Sequence, residues 1–336
     1  MRTLSHDTLL RARDYIFTHS DDINRAWYRY NFEGGNTAAF MDALVQYQHP
    51  NGGFGGLVYE FEYQGPCLKC TEHAFRYIFH LREKPPANHP VIQKMMAYVL
   101  ERYRSETGCW GELLTPEVHA GVHVPWWTYS EEENAPIADE NERILMYRPN
   151  GQAALAAFVA LYRDLVPQDL YRDIIRYPVE KILRYYDTAS PLGGQSGKSE
   201  WHQNDIAIPY NMKCYNQFIS CLQDAELAYT LKAILLQNPT ACMNLNADNW
   251  QNDFENTACD IVSSPASFLY PSLTCEVDKS LDYLIHRLSE NTCWHLNWRF
   301  GEGAALDRLQ EQFEAHLTML YLALLNRFGR VETPTS

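Results

Sequence analysis

Apolar residues recur at three- and four-residue steps along most of the chain. Between Pro90 and Tyr103, Ile92, Met95, Met96, Val99, Leu100 and Tyr103 fall on one face of a helix. Leu155, Phe158, Leu161, Tyr162 and Leu165 repeat the pattern. So do Val277, Leu281, Leu284, Ile285 and Leu288, and then Leu309, Phe313, Leu317, Leu320, Tyr321 and Leu324. Shorter helices are predicted near 6–18, 37–47, 70–82, 178–187, 210–222 and 225–236. No alternating strand pattern of comparable length competes, so the chain reads as all-α with about ten to twelve helices.

The boundaries carry their own chemistry. Asn36 and Thr37 are suited to cap the helix bearing Phe40, Leu44 and Tyr47. Pro90 follows Pro85 and Pro86 and suits a first helical turn. Two long irregular stretches are expected, 108–149 and 190–209, and loops of that length are usually functional or mobile. Residues 1–330 read as a single domain and 331–336 as a flexible tail.

A turn unit also recurs. Gln48-His-Pro-Asn-Gly52-Gly-Phe54 ends one helix, and "SETGCW" (105–110) and "SENTCW" (289–294) each follow an amphipathic helix. The later copies are degenerate: Arg104 and Leu288 replace the glutamine, and Thr292 replaces the glycine. A repeated helix–turn–aromatic unit implies an array of helical hairpins. The spacing Q-x-x-x-G-x-[WF] resembles the repeat of terpenoid cyclases and of the β-subunit of protein prenyltransferases. In that family the glutamine bonds backbone groups at helix ends and the aromatic packs against it. The resemblance implies an α/α toroid of about five to six hairpins, and it makes the turn scaffold rather than active site. A likeness over nearly the whole chain extends to bacterial proteins labelled prenyltransferase-like or squalene-cyclase-like. It is carried by "NGGFGG" followed by Glu60, "PWW" (125–127), "RPNGQAALAAF", "NADNW" with "DIVSSPASFLY", and "NWRFG".

Composition narrows the function. The net charge of −14, with no basic run, excludes an ordinary nucleic-acid or anionic-membrane partner. No stretch approaches 18 apolar residues, so no transmembrane segment is expected. The N-terminal residues lack a signal-peptide pattern, and nine scattered cysteines suit a reducing setting, so a cytoplasmic location is expected. No sequence feature fixes an oligomeric state. Glycine pairs at 34–35 and 193–194 do not follow strands and lack a P-loop lysine.

The resemblance implies an enzyme acting on an isoprenoid or other apolar substrate, with a carboxylic acid moving the proton. The D-x-D-D acid of class II cyclases and the D-D-x-x-D magnesium motif of class I enzymes are both missing, so no cofactor is predicted and magnesium has no motif here. The Asp, Cys and His that hold zinc in prenyltransferases have no counterpart that maps onto this chain, and no metal site is predicted. The acid candidates are Glu60 and Glu62, interleaved with Tyr59, Phe61 and Tyr63, and Asp260, flanked by Cys259 and Ile261. An acid among aromatics can hold its proton and donate it. The alternatives are a solvated loop for the glutamates and a helix cap for Asp260. Tyr59, His123, Trp126, Trp127, Trp201, His202 and Trp298 are candidates for the substrate wall, where tryptophans stack sugars or stabilise cations. His119 and His123 stand four apart, but Pro125 argues against the helix a metal pair needs. Cys67-x-x-Cys70-x-x-His73 lacks the further ligands of a closed zinc site and reads as a packed thiol pair. The alternatives to an isoprenoid enzyme are a carbohydrate-active enzyme, which needs two carboxylates across a bond, and a non-catalytic binding protein. The small-molecule partner is therefore apolar or a sugar.

Overall fold

The computed structural model describes residues 1–111, 113–127, 149–187, 209–240, 242–252 and 256–332. Among them are twelve α-helices: α1 (His6–His19), α2 (Asp22–Phe32), α3 (Thr37–Leu44), α4 (Leu68–His80), α5 (Pro90–Glu101), α6 (Pro116–Ala120), α7 (Pro149–Leu161), α8 (Gln168–Asp187), α9 (Pro209–Cys221), α10 (Ala225–Leu235), α11 (Thr274–Glu290) and α12 (Ala304–Arg327). The only sheet among them pairs Tyr103–Arg104 with Cys109–Trp110. The all-α expectation is met, and among the described residues no helix is long and apolar enough to cross a membrane.

Local chemistry sets the helix starts. Asn36 accepts the Ala39 N–H at 2.9 Å and caps α3 as its position predicted. Pro90 opens α5. The Cys67 thiol accepts the Cys70 N–H at 3.3 Å and caps α4, so this cysteine pair serves a helix end. Two elements depart from expectation. Helix α2 was not foreseen, because Asn24, Arg25, Arg29 and Asn31 dilute its apolar face; Ile23, Trp27 and Tyr30 are nevertheless buried at helical spacing, and Asp21 caps it. Helix α8 starts ten residues before the predicted 178–187. Pro178 lies inside it, and burial of Tyr171, Ile174, Tyr177 and Ile182 carries the helix past the lost backbone bond.

Helix α7 is buried from Gly151 to Ala160, and it packs most extensively against α9, with α4 and α8 also touching it. At the other side α1 packs on α12, α2 and α11. The two ends of the described chain meet: Leu4 and Val331 form a parallel bridge, and Leu4 N–H donates to Arg330 O at 2.8 Å. Arg330 is buried and pairs with Asp278 and Asp282, so 331–332 are pinned; 333–336 lie outside the described residues. Most of the buried apolar residues make one contiguous cluster from Leu4 to Leu325, and Val124, Phe300 and Leu309 form a small second one.

The opening turn is a rigid corner. The Gln48 amide donates to Gly52 O and to Val91 O, each at 3.0 Å, tying the end of one helix to the start of α5. Phe54 is fully buried and bridges both Gln48 and Cys67. Gly52 has φ +92°, and a Cβ there would stand 2.0 Å from Lys94 O. Only glycine fits.

Candidate functional site

The structure gathers several of the sequence candidates at one place. Residues 60–62 run antiparallel to 122–124: Val124 N–H donates to Glu60 O and Glu62 N–H to Val122 O, each at 2.9 Å. This pairing brings Trp126 and Trp127 over Glu60, whose carboxylate accepts their indole N–H groups at 2.9 and 3.3 Å. Trp126 meets Phe300 edge-on at 5.6 Å, and Trp127 and Trp298 pack on the small cluster of Val124, Phe300 and Leu309. His123 and His119 each turn Nδ1 to a backbone carbonyl, of Val124 and Trp127, at 2.8 Å. Glu62 is exposed and pairs with Arg308 at 2.9 Å. The cluster anchors residues 119–127 to α12.

Tyr59 faces the opposite way, into the core. Its hydroxyl donates to Asp21 Oδ2 and accepts from Asn24 Nδ2, both at 2.7 Å, and its ring lies 4.8 Å from that of His316. Asp260 stands apart from the glutamates. It closes a capping box with Thr257, accepting its N–H at 2.7 Å and its hydroxyl at 3.0 Å. Burial raises its pKa, opposed by the Thr257 bonds and by the nearby Lys213 charge. Among the described residues no hydrogen bond or ion pair joins Glu60 to Asp260. Trp201 and His202 lie outside the described residues. His73 is not a partner of the cysteine pair: it sits beside Glu72, Lys69 and Arg76, and burial holds its pKa well below the usual histidine value.

A second feature was not anticipated. A cavity of about 790 Å³ opens between the ends of α2, α4 and α12, the face of α9 and the segment 263–267. That volume is typical of small-molecule sites. Lys213, Asn216, Gln217 and Ser220 line it from α9, at steps that put all four on one helical face. Arg82 and Lys84 come from the segment after α4, and His80 and Arg327 are the last residues of α4 and α12. No Asp or Glu among the described residues lines this cavity, in a chain with 42 acidic and 28 basic residues.

Several of these groups are held ready. Gln217 is only 7% exposed, and its carboxamide makes no hydrogen bond to any described residue. Lys213 and His80 likewise make no hydrogen bond or ion pair among the described residues. Burial lowers the pKa of Lys213, helped by the Arg76 charge and opposed by Asp260. Burial also holds His80 well below the usual value, so its imidazole is neutral. Arg327 donates Nε to Ser263 O at 2.8 Å, and burial lowers its pKa to about 10, still a cation at neutral pH. Asn216 is fixed by donating to Ile261 O and Ser267 Oγ. Helix C-termini favour cations, which accounts for Arg327 in part; Lys213, in the first half of α9, has no such reason to be there. Lys213 and Arg327, two partly buried cations, stand with a Gln217 amide that no described residue engages, an arrangement suited to take up an anion.

Compared with known protein families, curated proteins and solved structures, the chain has no match in any of the three. The site therefore stands on its own geometry.

Proposed function

We propose that the protein binds a small anionic molecule, carrying a phosphate, diphosphate or carboxylate, in the cavity lined by Lys213, Gln217 and Arg327. The observation that carries this is the cavity's charge: its described lining residues include four Lys or Arg side chains and no carboxylate, within a chain of net charge −14. An α/α toroid remains the architecture we infer, supported by the pairing of the chain ends through Leu4 and Val331 and by the recurring turn units. An isoprenyl diphosphate suits the cavity well: cations and amides for its head, and Phe79, Leu161 and Ala266 for its apolar tail. Proton transfer by Glu60 or Asp260 gains no support, since each carboxylate is committed to hydrogen bonds that hold local structure. Glycoside cleavage gains none in this cavity, whose described lining residues do not supply the carboxylate pair that chemistry needs.

Calorimetric titration of the whole chain with inorganic diphosphate, farnesyl diphosphate, sugar phosphates and uncharged oligosaccharides tests this. Binding confined to the anions, weakened at least tenfold in Lys213→Met and Gln217→Leu, is expected. Binding of oligosaccharides alone, or anion binding indifferent to both substitutions, overturns it.

A further inference from the structure

A second constellation lies in the connection between α11 and α12. Cys293 and His295 stand two apart in that connection, and Glu314 reaches them from α12. One donor atom from each of the three lies within 4.8 Å of the others, the only such group of His, Cys, Asp or Glu among the described residues. The Cys293 sulfur is 3.4 Å from His295 Nε2 and 3.6 Å from Nδ1, and Nδ1 is 2.8 Å from Glu314 Oε2.

We infer that Cys293, His295 and Glu314 form a binding site for a thiophilic divalent cation of the zinc type. Tetrahedral coordination at ordinary Zn–S and Zn–N lengths puts sulfur and nitrogen about 3.5 Å apart, which is the separation already present. The nitrogen–oxygen pair sits closer because a proton joins them; a metal replaces that proton, which moves to Nε2 as the neutral ring changes tautomer, and opens the pair to about 3.3 Å. The carboxylate is oriented for this. Glu314 Oε1 accepts the Leu296 N–H and the Gln310 amide, each at 3.1 Å, which leaves Oε2 aimed at His295. Such outer bonds fix a metal-binding carboxylate in place. Nearby charge favours a cation: Glu311, paired with His19 at 2.8 Å, adds a second carboxylate to the surroundings of Cys293.

The protein side is buried and the solvent side open. Cys293 and Glu314 are buried, whereas the His295 side chain is 53% exposed. Three protein ligands with a fourth position facing water is the pattern of a metal that keeps a water or substrate, rather than of a closed structural site. Binding converts the Cys293 thiol to a thiolate and releases its proton to solvent. This site shares no residue with the cationic cavity, so either stands if the other fails.

Cobalt is the probe, because its thiolate complexes absorb. Titration of the metal-free chain with cobalt alone is expected to give tetrahedral visible bands and a sulfur-to-cobalt charge-transfer band, saturating at one ion per chain and displaced by zinc. Cys293→Ser should abolish the charge-transfer band. His295→Ala, at an exposed position where circular dichroism is expected to show an intact fold, should weaken binding by more than about tenfold. Absence of the band in the natural chain, its persistence in Cys293→Ser, or unchanged affinity in His295→Ala each overturns the assignment.

Discussion

The backbone N–H of Trp294 donates to the Thr318 hydroxyl at 2.9 Å. Phe54 makes the same bond to Thr71 at 3.0 Å, and Trp110 donates to Gln152 Oε1 at 2.9 Å. The three turn units are therefore equivalent in space as well as in sequence: each sends its terminal aromatic inward and ties that residue's N–H to a side chain of a following helix. Both threonines are fully buried and donate onward to a carbonyl one turn back, Cys67 O and Glu314 O. Thr71→Val and Thr318→Val keep the shape but strand a buried N–H, and each is expected to cost about 1–3 kcal/mol in denaturant unfolding. Thr→Ser at either position should cost less. Equal stability of the valine and natural chains would reduce the repeat to apolar packing.

Gly52→Ala tests the opening corner. The added methyl meets Lys94 O at 2.0 Å, and the backbone sits at a positive φ that alanine disfavours. A loss of at least about 3 kcal/mol, or failure to fold, is expected. Gly34→Ala is the control, since φ there is also positive (+72°) but nothing lies within 4 Å; it should cost about 1 kcal/mol, the backbone share alone.

Stability should fall in mild acid. His316, whose Nδ1–H donates to Asn24 Oδ1 at 2.9 Å, has its pKa lowered from 6.5 to about 3, mainly by burial, and His73 and His80 are also held well below their usual value. As pH drops below 6.5 the unfolded chain binds protons that the native histidines refuse, so stability declines toward pH 3, by up to about 1.4 kcal/mol per pH unit for each histidine. Glu72, lowered by Arg76 and Lys69 against its burial, adds to the loss in stronger acid. Asp21 and Asp260, both raised by burial, oppose it above pH 3.8 because the native chain holds their protons longer. His316→Gln, which keeps a donor for Asn24, should make the decline shallower in urea unfolding between pH 6.5 and 4. An unchanged slope would mean that His316 is protonated in the folded chain.

Lys213→Met separates binding from folding. The substitution removes a partly buried cation that lacks a hydrogen-bond or ion-pair partner among the described residues, and should stabilise the ligand-free chain by about 1 kcal/mol. The same variant should lose the stabilisation that diphosphate gives the natural chain, about 2.7 kcal/mol at a concentration 100 times the dissociation constant. A variant both less stable and still stabilised by diphosphate would make Lys213 a structural residue.

By itself the sequence determined the helical class, most helix positions, the Asn36 cap and the scaffold role of the Gln48–Phe54 turn. These depend on interactions between near neighbours, where periodicity and turn chemistry are visible. It also marked Glu60, Trp126, Trp127 and Trp298, whose companionship rests on a strand-like pairing of 60–62 with 122–124 that no periodicity announces. The α9 stripe of Lys213, Asn216, Gln217 and Ser220 was legible as polar residues on one helical face, but a polar face is ordinarily a solvated one. Only the tertiary structure turned it inward, by burying the rest of α9 against α7 and bringing His80 and Arg327 to it from helix ends 247 positions apart. Cys293, His295 and Glu314 meet for the same reason: helix packing, which places residues far apart in sequence, decides which donors share a space.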